Sequence, residues 1–336
     1  MRAMIRTFTL HLMVVIASTA YAAEHDTVVL KNGNRLLGSV SSLSRGELSF
    51  SIDGAGSVDI NWSNVESLET ITPLDVELSS GTKLRGTLHS PAPGKLEVKT
   101  DTTPQDVEMN EVVRITSIAA NFADRTSGSI DVGFDFLQAN TEFDLTLNAE
   151  AENRTTNYLT EASYETILRH LNGENAQWRN NFELGSRRFL PHRWFVLGRF
   201  QLEQDQLLDL DLRTLVYGAV GRYLIQSNRS LLGVHGGIDY DRENYGGLPI
   251  DNSPEALGNV EWDWFDIGGK TEFESKATTY ITLNRSRLRF EASGQLRHDL
   301  TKHYYGALEV FESFDTDSHR GKNNDVGVSI AIGRSF

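Results

Sequence analysis

The sequence carries nine histidines and no cysteine. Without thiols there can be no disulfide, no thiolate metal site and no cysteine nucleophile. Among the histidines, His235 has the most suggestive surroundings. It lies among Gly233, Gly236 and Gly237 and shares the parity of Asp239 and Asp241 along an alternating segment. A histidine paired with a serine on a neighbouring strand could activate a hydroxyl for lipid hydrolysis. No serine motif marks a partner, so the plainer reading is a satisfied polar residue inside a lumen. Asp315, Asp317, His319 and Asp325 concentrate oxygen ligands in one segment. They suit contact with a divalent cation or lipopolysaccharide, but their spacing departs from a calcium loop, and a solvated loop is the simpler reading. The glycines fall in strands and turns rather than before a helix, so no phosphate-cradling loop is expected. No catalytic, cofactor-binding or metal-binding set emerges, and the chain is read as a non-enzyme. What remains is alternating charge: Arg199, Glu203, Asp211, Arg213, Arg289, Glu291 and Arg297. With His235 they are expected to line a lumen, where mixed signs either bridge across strands and plug it or border a narrow conduit.

The elements that would hold these charges are strands. From Ser127 onward apolar and polar residues alternate over long runs. Ile130, Val132, Phe134 and Phe136 oppose Asp131, Gly133 and Asp135; Leu288, Phe290, Ala292, Gly294 and Leu296 oppose Arg289, Glu291, Ser293, Gln295 and Arg297. Such runs exceed ordinary sandwich strands and fit a barrel with lipid outside and polar groups inside. The pattern predicts about twelve strands, or ten if the ninth is lost: 128–137, 141–152, 158–170, 174–188, 193–203, 211–225, 230–241, 259–273, 277–285, 287–298, 303–314 and 324–336. The mean hydropathy of −0.35 looks soluble, yet alternation makes any transmembrane barrel polar on average. No stretch after the N-terminus approaches the roughly 18 apolar residues of a membrane helix. A membrane crossing would therefore require a closed barrel. A net charge of −14 without a basic stripe sets nucleic acid aside.

Location is written at both ends. Arg2 and Arg6, the apolar Phe8–Ala17 run and Ala20-Tyr21-Ala22 read as a secretory signal peptide over 1–22. At the other end Val328, Ile330 and Ile332 alternate with small residues before Phe336. That resembles the signal read by the barrel-assembly machinery, with Arg334 a departure from it. Long connections over 242–258 and 315–323 would face outward; short links at 190–192, 226–228 and 299–301 would face the periplasm. Trp178, Trp194, Phe195, Trp262, Trp264, Tyr304 and Tyr305 cluster near strand ends, as an interfacial girdle would.

Ahead of the barrel, residues 23–118 hold a repeat. TVVLKNGNRLLGSV from Thr27 returns as DVELSSGTKLRGTL from Asp75. Gly33, Gly38 and Gly46 recur 48 positions on as Gly81, Gly86 and Gly94, and Trp62 to Leu68 recurs 47 positions on as Met109 to Ile115. Each copy, 27–72 and 75–118, is expected to be a small SH3-like or Sm-like β unit; two sharing a core is easier than one alone. A periplasmic or cell-wall binding module and a spacer capping the barrel's mouth remain equal readings.

Residues 211–245, DLRTLVYGAVGRYLIQSNRSLLGVHGGIDYDRENY, with Ser253–Leu257, Trp264-Phe265, Phe311–Asp315 and Asp325 to the end, resemble the salt-induced outer membrane protein family. Ser318-His319-Arg320-Gly321 stands where many members carry a proline-containing turn. The resemblance implies an outer-membrane barrel over 119–336 and carries over no catalytic residue. The expected protein is all-β, with its N-terminal domain in the periplasm and outer-membrane lipid and lipopolysaccharide around its barrel. Its role would be in envelope structure and stress or as a narrow channel. The alternatives are an outer-membrane lipid-acting enzyme and a soluble periplasmic β-sandwich that binds a ligand.

Overall fold

The computed structural model describes residues 25–118, 121–137, 142–170, 177–206, 209–266, 270–301, 303–317 and 323–335. The expected signal peptide, Phe336 and the 318–321 turn with His319 lie outside them.

Two β units follow one another. The first contains β1 (Asp26–Leu30), β2 (Arg35–Ser44), β3 (Glu47–Ile52), β4 (Gly56–Asn61) and β5 (Val65–Glu69). The second contains β6 (Leu74–Leu78), β7 (Lys83–His89), β8 (Lys95–Lys99), β9 (Gln105–Glu108) and β10 (Val112–Ser117). In each, a 3-10 turn precedes the last strand. The repeat in sequence is a repeat in register: Val28 pairs with Leu68, and Val76 pairs with Ile115. The copies are not separate barrels, because β10 also pairs with β2 and joins ten strands into one sheet. One apolar core serves both, including Leu43, Phe50, Leu68, Leu88 and Ile115. The Trp62 indole donates 2.7 Å to the carbonyl of Met109, its own counterpart in the second copy. A single 45-residue unit would bury too little apolar surface to stand alone, and pooling the cores answers that.

The remaining strands close an antiparallel barrel of twelve. They are β11 (Thr126–Leu137), β12 (Glu142–Arg154), β13 (Tyr158–His170), β14 (Gln177–Phe189), β15 (Trp194–Asp205), β16 (Leu210–Gln226), β17 (Ser230–Tyr245), β18 (Asp251–Phe265), β19 (Thr271–Thr282), β20 (Leu288–Asp299), β21 (Tyr304–Asp315) and β22 (Asn324–Ser335). Closure removes every free edge, which an open sheet in lipid could not tolerate. This overturns the soluble-sandwich alternative. The outer face is apolar and uncovered: Ile238 is 68% exposed, Ile330 65% and Ile332 64%, with Val216, Val220, Val260 and Val328 likewise outward. So large an apolar surface has no place in water and is the lipid face of an outer-membrane-type barrel.

Several expectations are corrected. The 242–258 loop shrinks to 246–250, because Asn252–Leu257 pair with Gly237–Arg242. Pro254 is an unusual residue for a ladder, since it has no N–H to donate. It is accommodated opposite Tyr240, where its carbonyl accepts from Leu283 N. The expected strands at 259–273 and 277–285 become 251–265 and 271–282 in consequence. Phe195 and Tyr305 point inward and are buried, whereas Trp194, Trp262, Trp264 and Tyr304 face out. Parity decides this, since Trp194-Phe195 and Tyr304-Tyr305 are neighbours on opposite faces. Asp211 sits at a register shift between Leu210 and Leu212 and is exposed at the rim rather than in the lumen.

Candidate functional site

The inward residues form a polar enclosure inside the barrel, and its two walls differ. We call the mouth where β11 starts and β22 ends proximal, and the opposite mouth distal.

On one wall, β14 to β20, charge is matched and packed. Arg213 on β16 bridges Glu203 on β15 at 2.7 Å and Glu243 on β17 at 2.5 Å, with Asp241 at 3.8 Å. Arg179 reaches Glu203 at 3.0 Å. Arg287, in the β19–β20 connection, holds Glu243 at 3.1 Å and Asp315 at 2.6 Å. Arg289 holds Glu255 at 2.6 Å and Asp241 at 3.5 Å, with Glu291 at 3.7 Å. Further toward the proximal end Arg187 takes Glu261 at 2.6 Å and donates to the Tyr223 hydroxyl, while Arg199 takes Glu183 at 2.8 Å. Glu243 and Glu255 are buried to 1% and 0% exposure, so no water column runs past them. An apolar layer of Leu197, Leu215, Tyr217, Leu257 and Tyr280 underlies the network. Ion pairs this far from water need close geometry to hold, and the match here is incomplete: Asp239 is buried with neither carboxylate oxygen hydrogen-bonded, and the Arg187 and Arg289 Nε atoms have no acceptor among the described residues.

His235 belongs to this wall. It is buried, faces Gly221 and Asn259 across the ladders, and meets the Phe195 ring edge-on at 6.1 Å. Gly221 is required by that contact, because a Cβ there would fall within the Phe195 ring. Among the described residues no serine hydroxyl hydrogen-bonds to His235, and no three acidic or histidine side chains are placed to share a metal ion.

The other wall is β11 to β13 with β21 and β22. Its inward residues include Asp131, Glu150, Glu152, Glu161, Glu165 and Glu309, interspersed with Ser129, Ser163 and Ser329. None of these six acids has an ion-pair partner within 4 Å among the described residues. Asp131 accepts from the Tyr305 hydroxyl, and Asn148 Nδ2 donates to Glu150 at 3.1 Å. Tyr305 lies over Gly333, where any side chain would collide with it and with Asp131. Arg297 stacks 3.6 Å over the Tyr305 ring and donates to Asp299 at 3.2 Å. The seam that completes this wall is short: β11 and β22 pair only from Ser129–Ser335 to Gly133–Ala331, whereas every other barrel seam pairs along most of its strands. Between the walls lies a cavity of about 860 Å³, lined by Glu150, Glu161, Arg199, His235, Lys276 and Glu309 among others.

The N-terminal domain sits at the proximal mouth, and its β2 and β10 segments line the same cavity. Its contacts fall on the rim from β12 to β19. Lys83 donates to the Thr156 carbonyl, and the Thr156 hydroxyl donates to Asp75. Gln226 donates to Glu77 at 2.8 Å and Asn228 to the Val112 carbonyl at 2.8 Å. Arg45 pairs with Glu272 at 2.6 Å and Glu274 at 3.2 Å, 5.1 Å above the Phe265 ring. Burial pulls against its charge, but Glu272 and Glu274 hold the Arg45 guanidinium well above its usual range. Burial lowers the Lys83 ammonium, and neighbouring Arg154 and Arg114 add to that.

The residues expected to line the lumen are thus placed as follows. Arg199, Glu203, Arg213, His235 and Arg289 sit in the matched wall, Glu291 at its edge, and Arg297 near the proximal end. Val328, Ile330 and Ile332 face outward, and Arg334 is exposed opposite Tyr304 at the proximal rim. The acidic wall was not singled out by sequence reading, although Glu150 and Glu152 alternate with Leu147, Ala149 and Ala151 in the sequence.

Comparison with solved structures gives weak likeness. The NanC porin is 15% identical with a TM-score of 0.42, covering 62% of this chain and 98% of that one. The translocator domain of the autotransporter NalP from Neisseria meningitidis is 13% identical with a TM-score of 0.39, covering 63% and 86%. The beta domain of the Bordetella autotransporter BrkA is 9% identical with a TM-score of 0.33, covering 63% and 98%. No curated protein matches. The family described as "Protein of unknown function, DUF481" matches residues 130–336, nearly the whole barrel and more than half of the chain. The chain belongs to that family.

Proposed function

We propose that this is an outer-membrane protein whose lumen is a narrow, cation-preferring passage. The path runs beside the acidic wall of β11 to β13, β21 and β22, with the N-terminal domain seated in the periplasm at the proximal mouth. The observation that carries the reading is the asymmetry of the lumen: six arginines of one wall are paired, while six carboxylates of the other are not. Unpaired carboxylates facing a water-filled space lower the potential along it and concentrate cations. The packed wall narrows the lumen, so the passage suits small ions rather than large solutes.

The same reading takes residues 1–22 as the export signal and Val328, Ile330 and Ile332 with Phe336 as the assembly signal. Lipopolysaccharide would surround the distal half, and residues 25–118 would face any cell-wall partner. Induction by salt, suggested by the resemblance, fits a protein that passes small cations. Lipid hydrolysis has no observation in its favour, since His235 is buried against Phe195 without a serine beside it. Purified folded protein in planar bilayers under a potassium chloride gradient tests the proposal: a reversal potential on the cation side is expected, and an anion-side potential or persistent silence would overturn it.

A further inference from the structure

The β2–β3 hairpin ends in Arg45-Gly46, closed by the Ser44–Glu47 pair. Both tip residues have positive φ, 53° and 78°. Glycine adopts that conformation freely, and the arginine does so against its preference. The repeat makes the choice conspicuous. The matching hairpin of the second copy has Pro93-Gly94, and a Cβ on Gly94 would meet nothing within 4 Å. A Cβ on Gly46 would lie 2.9 Å from the Asn228 carbonyl oxygen and 3.4 Å from its Cβ, on the β16–β17 turn. The first hairpin is therefore pressed against the barrel's mouth, while its twin, among the described residues, bonds only within the N-terminal domain, Gly94 N donating to the Glu66 carbonyl. Its arginine reaches past the rim to Glu272 and Glu274, two carboxylates on one strand, yet 43% of its side chain still meets the cavity's water.

We propose that Arg45 is the latch of a hairpin plug at the proximal mouth, and that breaking its pairs with Glu272 and Glu274 opens the cavity to the periplasm. The inference rests on the passage reading for its purpose but not for its test. An arginine in an unfavoured backbone state, held by two half-wet ion pairs, is suited to release: each pair is weak alone, and together they are geometrically specific. Two positions are implied, plugged as seen here and withdrawn, with the ion pairs biasing the balance.

The test uses the full folded chain, which has no native cysteine. Ser163→Cys places one thiol in the cavity wall, and a cationic methanethiosulfonate reports its accessibility. In that background Arg45→Ala, and independently Glu272→Gln with Glu274→Gln, should raise the labelling rate by about tenfold, as a shift toward the withdrawn position requires. Lys95→Ala, which removes an exposed pair with Glu108 inside the second copy, should not change it. In bilayers, Gly46→Cys with Asn228→Cys should be silent when oxidised and conduct when reduced, so each protein is its own folding control. Unchanged labelling in both latch variants, or an oxidised pair that conducts as the reduced one does, overturns the latch. Accelerated labelling with bilayers silent for every variant keeps the latch and overturns the passage instead.

Discussion

The two walls of the lumen are built from the same alternation and end in opposite electrostatic states. On β14 to β20 the inward Arg179, Arg187, Arg199, Arg213 and Arg289 each have a carboxylate partner on another strand, and Glu203, Glu243 and Glu255 among those partners are buried. On β11 to β13, β21 and β22 the inward carboxylates face space and one another. A low-dielectric interior penalises unpaired charge heavily. The first wall can bury most of its charge because most of it is matched, and the second leaves its carboxylates unmatched where most of them border the cavity. In the proposed passage, the matched wall holds the barrel together and the unmatched one leaves room for ions.

The sharpest way to break this contrast is Arg213→Ala. It leaves Glu203, Glu243 and Asp241 with Arg179, Arg287 and Arg289 alone inside the packed wall and should cost about 3 kcal/mol, seen as an earlier urea midpoint for the heat-modifiable folded band. A midpoint equal to the parent's would mean that the wall is not packed as described. Next, Val220→Lys on the lipid face should cost about 2–4 kcal/mol, whereas Ser163→Lys on the wet wall should cost less than about 1 kcal/mol; equal costs would erase the distinction between outside and inside. Glu150→Gln with Glu309→Gln should move stability by only about 0.5 kcal/mol while shifting the reversal potential toward zero.

The smallest effect concerns Glu47, beside the latch. Burial raises its carboxyl above the usual range, and Asp59 and Asp299 add to that. A raised carboxyl favours the protonated folded state, so its contribution is present at low pH and fades as pH rises through the raised value. Protease protection of residues 25–118 should weaken slightly over that interval and become flat there in Glu47→Gln.

Much of the frame was legible. Period-two alternation pointed to the barrel and to about twelve strands, because lipid on one side and polar groups on the other leave no second register, but it placed Asp211 inward where a register shift turns it to the rim. The repeat of Gly33, Gly38 and Gly46 foretold matched registers in the two β units. What escaped was what alternation cannot encode. The strand through Pro254 is revealed only by its ladder partners. Phe195 and Tyr305 each adjoin an aromatic on the opposite face, so clustering alone could not orient them. The sharing of one sheet between the copies depends on β10 meeting β2, a contact between segments far apart in sequence. The acidic wall is a statement about missing partners, and partners across strands are visible only once the strands are paired. Arg45 left one trace in the sequence, as the arginine standing where the second copy has Pro93.

The central claim is that the unmatched wall conducts cations, and the reversal potential of the purified, folded full chain in a potassium chloride gradient tests it most directly. The account predicts a clear cation preference that falls when Glu150 and Glu309 are replaced together by glutamine and survives Arg297→Gln. An anion preference, or a cation preference indifferent to Glu150 and Glu309, would contradict it.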